Sequence, residues 1–417
     1  MNTNSIPVSV GVDMDKRNYC WILIGLGLVF IFCTFWIINT LGNEPSKALW
    51  GFFVANYIYF LGVSMFGIVF VAILRICGAG WSRPYYRLAE LTTLAFFPLA
   101  ILGFLFITHC GSEHLFYWVT DEGHHSPWLN STFLLYRNLF ALLLFYLLSL
   151  VYFLSGLLPD ISLQDAGQGS GIRQILYRWL LSIKQNKDEA TLKRNVYYYS
   201  PVIILVAALA MTFIAWDLGM TLVPHYHSSV YPMYFIIGNM LAGSAIMIVL
   251  AMLLIRFVPV SEYFNIRQVH FIAVLMTAFT LFWLYLFWAQ FFVSWFGNLD
   301  HEYGVLKLQM YGHYAPLFWT MMICNTAIPI ACYIFIKFKR SWWAMTLLAI
   351  TINAGIWINR YLMVLPGLVD DHWPFSSFAE LCMTAGFITG FLTVLLFLFN
   401  LIPMVSNWEL QAWEDER

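Results

Sequence analysis

Ten apolar stretches, each about 20 residues long and divided by polar loops, constrain this chain more than any motif does, because a run of that length matches the hydrocarbon thickness of a bilayer. They fall near residues 19–41, 50–75, 87–109, 131–157, 198–216, 231–257, 269–296, 315–337, 341–364 and 377–403. With 61% hydrophobic and only 10% charged residues, a soluble fold of 417 residues has nowhere to bury so much apolar surface. The expected class is therefore all-α: a polytopic integral membrane protein of about ten transmembrane helices.

The charges orient these spans. If the first loop is outside, the even loops and both tails collect 17 of the 21 Lys and Arg, among them Arg75, Arg83, Arg87, Arg173, Arg178, Arg256, Arg267 and Lys339. Only Lys47, Lys307, Arg137 and Arg360 remain for the other side, and a bias of that size places the basic loops and both termini in the cytoplasm. The first apolar run is longer than a signal-peptide core and lacks a small-residue cleavage site, so it reads as a retained anchor, with a bacterial inner membrane as the expected location. Cys20, Cys33, Cys77, Cys110, Cys324, Cys332 and Cys382 stand singly, without the close spacing of a cluster or zinc site, so no bound metal is expected. The long cytoplasmic loop 158–197 carries the basic amphipathic stretch IRQILYRWLLSIK, suited either to a solvated linker or to the headgroup layer. Asn130-Ser-Thr matches a glycosylation sequon and is read as a chance match.

Titratable groups are asymmetric too. Nine of the ten histidines, including His109, His225, His227, His313 and His372, fall at the outer face with Glu113, Asp121, Asp217, Asp370, Asp371 and the deeper Glu380; only His270 lies on the inner side. An acidic, imidazole-rich rim accepts and relays protons, although outer loops are also simply polar. Arg137 and Arg360 sit about one to one and a half turns inside their helices, where a charge needs an internal partner, and Asp217, Glu113 and the Asp370–Asp371 pair are the candidates. On the inner side, Arg87-Leu-Ala-Glu90 and Arg267-Gln-Val-His270 each set a titratable group one turn deeper than a basic one. Glu90 and His270 read either as inner proton-uptake groups or as helix-end pairs, and with Arg137, His109 and Glu113 they make a candidate proton pathway. The matched spacing suggests one membrane domain over 1–417 holding two four-helix units, 48–216 and 230–364. Tryptophans and tyrosines crowd the span ends as interfacial belts, and aromatic walls under a His and Asp rim also suit a quinone headgroup.

Several segments resemble the NrfD-like membrane subunits of the polysulfide reductase family, most of all the ten-span membrane subunits of bacterial alternative complex III. AWDLGMTLVPHYHSSVYP (215–232), FWLYLFWAQFFVSWFGNLDHE (282–302), GLLPDI (156–161), GAGWSRPYYRLAE (78–90) and NAGIWINRYLMVLPGL (353–368) carry the likeness in order. The resemblance implies a subunit without a cofactor of its own, supporting quinol oxidation at the outer face. Electrons would pass to iron–sulfur and haem c partners, beside a second NrfD-like subunit, with proton translocation as an accompaniment. Carried over by position, Asp217, His225, His227 and Trp216 would lie at the quinone cavity with Arg360 beside it. The family often has Glu before the span 9 arginine where this chain has Asn359, which leaves open a proton-conducting or structural role without a quinone site. A secondary transporter using the same buried charges is the reading from a different class; no nucleophile or metal motif supports an independent enzyme.

Overall fold

The computed structural model describes residues 16–43, 46–120, 127–161, 171–185, 188–224, 226–257, 263–298 and 300–415. Within them the chain is all-α, and ten helical segments are long and apolar enough to cross a membrane. Spans 1 to 5 are Tyr19–Asn43, Lys47–Ile76, Gly80–Cys110, Ser131–Asp160 and Glu189–Leu222. Spans 6 to 10 are Tyr231–Ile255, Ile266–Gly297, Ala315–Ile334, Trp342–Gly367 and Phe378–Leu401.

Polar caps explain where many of these helices begin, since the first N–H groups of a helix need acceptors that lipid does not supply. Ser46, Asn130, Asp188, Ser341 and Ser377 each accept from a backbone N–H three residues on, and Asn265 forms a capping box with Gln268. Asn130, the sequon asparagine, thus uses its side chain to start span 4.

Spans 2, 3, 4 and 5 pack in a ring, each against the next and span 5 back against span 2; spans 6, 7, 8 and 9 make a second ring, joined to the first through spans 2, 5, 6 and 9. Span 1 pairs with span 10 on the outside. Span 2 is central and almost wholly buried, while span 1 leaves Trp21, Leu28, Phe35 and Ile38 exposed, as a lipid-facing helix does. Close approach of spans 2 and 6 relies on glycine: a Cβ at Gly243 would run into the Phe66 ring.

Two connections are more ordered than the sequence pattern suggests. Residues Asp300–Tyr311, expected as loop, form a helix, and span 8 is Ala315–Met322 and Ile328–Ile334 on either side of a π-turn at Ile323–Ala327, just before Pro329. The stretch IRQILYRWLLSIK is a helix, Ile172–Lys184, that buries Tyr177 and Leu180 and leaves Ile172, Ile175 and Trp179 exposed. Its Lys184 donates to the carbonyls of Pro159 and Ile161, tying the helix to the end of span 4. Below, the end of the molecule holding Arg75, Arg87 and Arg267 is called the basic end and the opposite one the histidine-rich end.

Candidate functional site

At the histidine-rich end, Arg137 on span 4 and Asp217 on span 5 meet deep between the two helices. Arg137 donates from Nε to Asp217 Oδ2 at 2.8 Å and from Nη2 to Oδ1 at 2.5 Å, a bidentate pair that matches a planar guanidinium to a carboxylate. Asn138 Nδ2 adds a bond to Oδ2 at 2.5 Å and Trp128 Nε1 one to Oδ1 at 3.1 Å. Asp217 is 0% exposed and its two oxygens receive four donors, so its lone pairs are filled by the protein. Arg137 lies 3.8 Å over the Trp128 ring and donates to the Trp128 carbonyl. The ion pair therefore fixes where that indole stands.

Trp128 is one wall of a cavity of about 290 Å³ lined by Tyr117, Trp216, Met220, Tyr226 and His227. The sequence-chosen residues Trp216 and His227 are brought together here, with His227 exposed at the rim; Asp217 stands behind the wall rather than in the lining. His225 lies outside the described residues. Three of the lining residues, Met220, Val223 and Tyr226, are shared with an inner cavity of about 90 Å³ that reaches into the second ring of helices. Its polar lining comes from Tyr231, Tyr234, Gln290, Gln309 and Asn359, its flat walls from Phe287, Phe291 and Phe318. A hydrogen-bonded chain crosses the junction: Ser228 donates to Gln290 Oε1 at 2.5 Å and Gln290 Nε2 donates to Tyr226. Tyr226 and Gln290 are not among the residues expected at the site from sequence, although the glutamine in the aromatic outer half of span 7 was an available signal.

Arg360 is not beside Asp217 and meets none of the carboxylates expected for it. It is 0% exposed and bonds neutral acceptors: the Phe235 carbonyl at 2.8 Å, Asn239 Oδ1 at 2.9 Å, Asn359 Oδ1 at 3.2 Å and Met363 Sδ at 2.9 Å. Gly238 makes the approach possible, since a Cβ there would stand 2.5 Å from Arg360 Nη2. Asn359 in turn donates to Tyr234, so Arg360 stands one residue behind the inner cavity.

The remaining candidates are scattered. His109 and Glu113 line a separate groove of about 700 Å³ between spans 3 and 4, with Thr108, Ser131 and Thr132. Glu90 pairs with Arg75 and Arg87 at the basic end of the first ring, whereas His270 stands on span 7, half-buried, and no hydrogen bond or ion pair among the described residues links the two. A relay not seen in sequence joins Tyr361, His372 and Glu380: the tyrosine oxygen is 2.7 Å from Nδ1, and Nε2 is 3.1 Å from Glu380 Oε1.

The family model described as polysulphide reductase, NrfD, matches residues 40–370 of the chain. Among curated proteins, none matches it.

Proposed function

Because the chain belongs to the NrfD polysulphide reductase family, whose members are membrane subunits that partner iron–sulfur subunits in quinone-linked redox complexes, we propose that it supports quinol oxidation at its histidine-rich end. The observation that carries this reading is the convergence of Trp128, Trp216, Tyr226 and His227 on one cavity that continues into a polar, aromatic-walled recess. A ring with two hydroxyls needs flat apolar walls and a polar group near each oxygen. The indoles and Tyr226 supply the walls, His227 a base for one hydroxyl, and the Tyr226–Gln290–Ser228 chain hydrogen bonds at the other side.

Hydroquinone oxidation releases two electrons and two protons. His227, with His225 next but one in sequence, takes one proton as the first O–H bond breaks, the second proton passes to solvent at the open rim of the cavity, and the two electrons leave to an iron–sulfur partner seated on the same face. Asp217 acts as a positioning residue, holding Trp128 through Arg137. Arg360 sets a positive field behind Asn359 and Tyr234, which favours negative charge developing on a ring oxygen. In this reading haem c subunits and a second NrfD-like subunit complete an assembly like alternative complex III.

Isolation of the native complex with an inventory of metals, haems and quinone tests the proposal. An iron–sulfur protein that co-purifies and is reduced on adding quinol is expected; a stable, active homo-oligomer free of redox centres would overturn it.

The orientation is part of the same proposal: basic end and both termini in the cytoplasm of a bacterial inner membrane, as the distribution of Lys and Arg favours. Single cysteines placed in the helix Ile172–Lys184 should react with a membrane-impermeant thiol reagent only after the membrane is opened. Labelling of intact cells at these positions would invert the molecule and move the quinol site to the other face.

A further inference from the structure

Five charged side chains meet out of solvent at the basic end of the first ring, none more than 8% exposed: Arg75 from span 2, Arg87 and Glu90 from span 3, Asp160 at the end of span 4 and Glu409 from the segment that follows span 10. Arg75 Nη2 lies 3.0 Å from Glu90 Oε1 and 2.5 Å from Glu409 Oε1. Arg87 reaches Glu90 Oε2 at 3.0 Å, Asp160 Oδ2 at 2.9 Å and the Gly156 carbonyl at 2.8 Å. Asp160 also accepts from Ser406 Oγ at 2.9 Å and from the Trp408 N–H at 3.0 Å, and the Trp408 indole donates to Gly156. The segment after span 10 is thus bound into the cluster through three of its residues, Ser406, Trp408 and Glu409.

The charges do not balance. Two guanidinium groups face three carboxylates, and an uncompensated buried carboxylate is costly enough that it takes a proton instead. Among the described residues no further cation pairs with these carboxylates: Arg83, at the rim, donates to the backbone carbonyl of Glu409, and Lys193 lies 5.6 Å over the Trp408 ring. Tyr86 and Tyr152 stack on Arg75 from either helix. Burial pushes the Glu409 carboxyl above the usual carboxylate range, against the lowering pull of Arg75 and with a further push from Glu90. Among the described residues Arg75 Nε and Nη1 and Arg87 Nε meet no hydrogen-bond acceptor, so the cluster is not closed by its ion pairs alone.

We propose that this cluster is a proton-holding site, in which Glu90, Asp160 and Glu409 share one proton and the segment around Ser406–Glu409 both supplies the third carboxylate and seals the site from solvent at the basic end. No redox change is involved: a proton adds to a carboxylate oxygen and leaves by the same route. The inference does not depend on the quinol cavity, which lies at the other end of the molecule.

The test uses the intact complex in lipid nanodiscs and infrared detection of the protonated-carboxyl stretch at neutral pH. One band component is expected, absent in each of Glu90→Gln, Asp160→Asn and Glu409→Gln, because any of these amides removes the surplus negative charge. Persistence of that component in every assembled variant, or loss in only one of them, overturns the shared proton. The seal is read from hydrogen–deuterium exchange of the same band. Ser406→Ala with Trp408→Ala keeps Glu409 and the backbone N–H bond to Asp160 but removes the Ser406 hydroxyl bond to Asp160, the indole bond to Gly156 and the bulk of the indole, and should speed exchange at least tenfold; an unchanged rate means that the spans alone close the site.

Discussion

Asp217→Asn is expected to destabilise the subunit by about 3–5 kcal/mol, the usual cost of removing one partner from a buried ion pair and leaving the other charge stranded. Among the described residues Arg137 gives two hydrogen bonds to Asp217 and one to the Trp128 carbonyl, so an amide in place of the carboxylate leaves a buried cation without the counter-charge it has here. The yield of assembled complex and its thermal midpoint in detergent should both fall. The double variant Arg137→Met with Asp217→Leu should recover most of the loss, since apolar side chains of similar volume often replace a buried pair at little net cost. A thermal melt of the single and double variants checks this. An Asp217→Asn complex as stable as the parent but unable to oxidise quinol would instead make Asp217 a reacting base.

The membrane spans were legible because hydropathy and length act locally: every one of the ten spans could be read from its own residues. The need of Arg137 for a partner was legible for the same reason, and Asp217 stood among the candidates. Which carboxylate it takes depends on how spans 4 and 5 pack, and no periodicity encodes that. For Arg360 the expectation of an acid was misplaced because a guanidinium is also served by carbonyl and amide oxygens, and the Phe235 carbonyl and Asn239 that serve it come from span 6. Arg87-Leu-Ala-Glu90 was visible as a pair one turn apart, but the contributions of Asp160 and Glu409 to the same cluster appear only when spans 2, 3 and 4 and the segment after span 10 converge. Tyr226 was hidden by the aromatic residues around it, since belt residues and cavity residues have the same composition.

The quinol reading rests on His227, the one described imidazole lining the cavity formed with Trp128, Trp216 and Tyr226. A positioned base typically contributes about 100-fold or more to a step that breaks an O–H bond, whereas removing an exposed rim side chain costs the fold little. His227→Gln should therefore leave assembly and thermal midpoint unchanged while lowering the quinol oxidation rate of the complex about 100-fold. His109 serves as the internal control, being an exposed histidine of the same face in a different groove. Steady-state quinol oxidation by the purified complex, compared for the parent, His227→Gln and His109→Gln, tests the assignment most directly. The account predicts a large loss in His227→Gln and parent-like turnover in His109→Gln; parent-like turnover in an intact His227→Gln complex would contradict it.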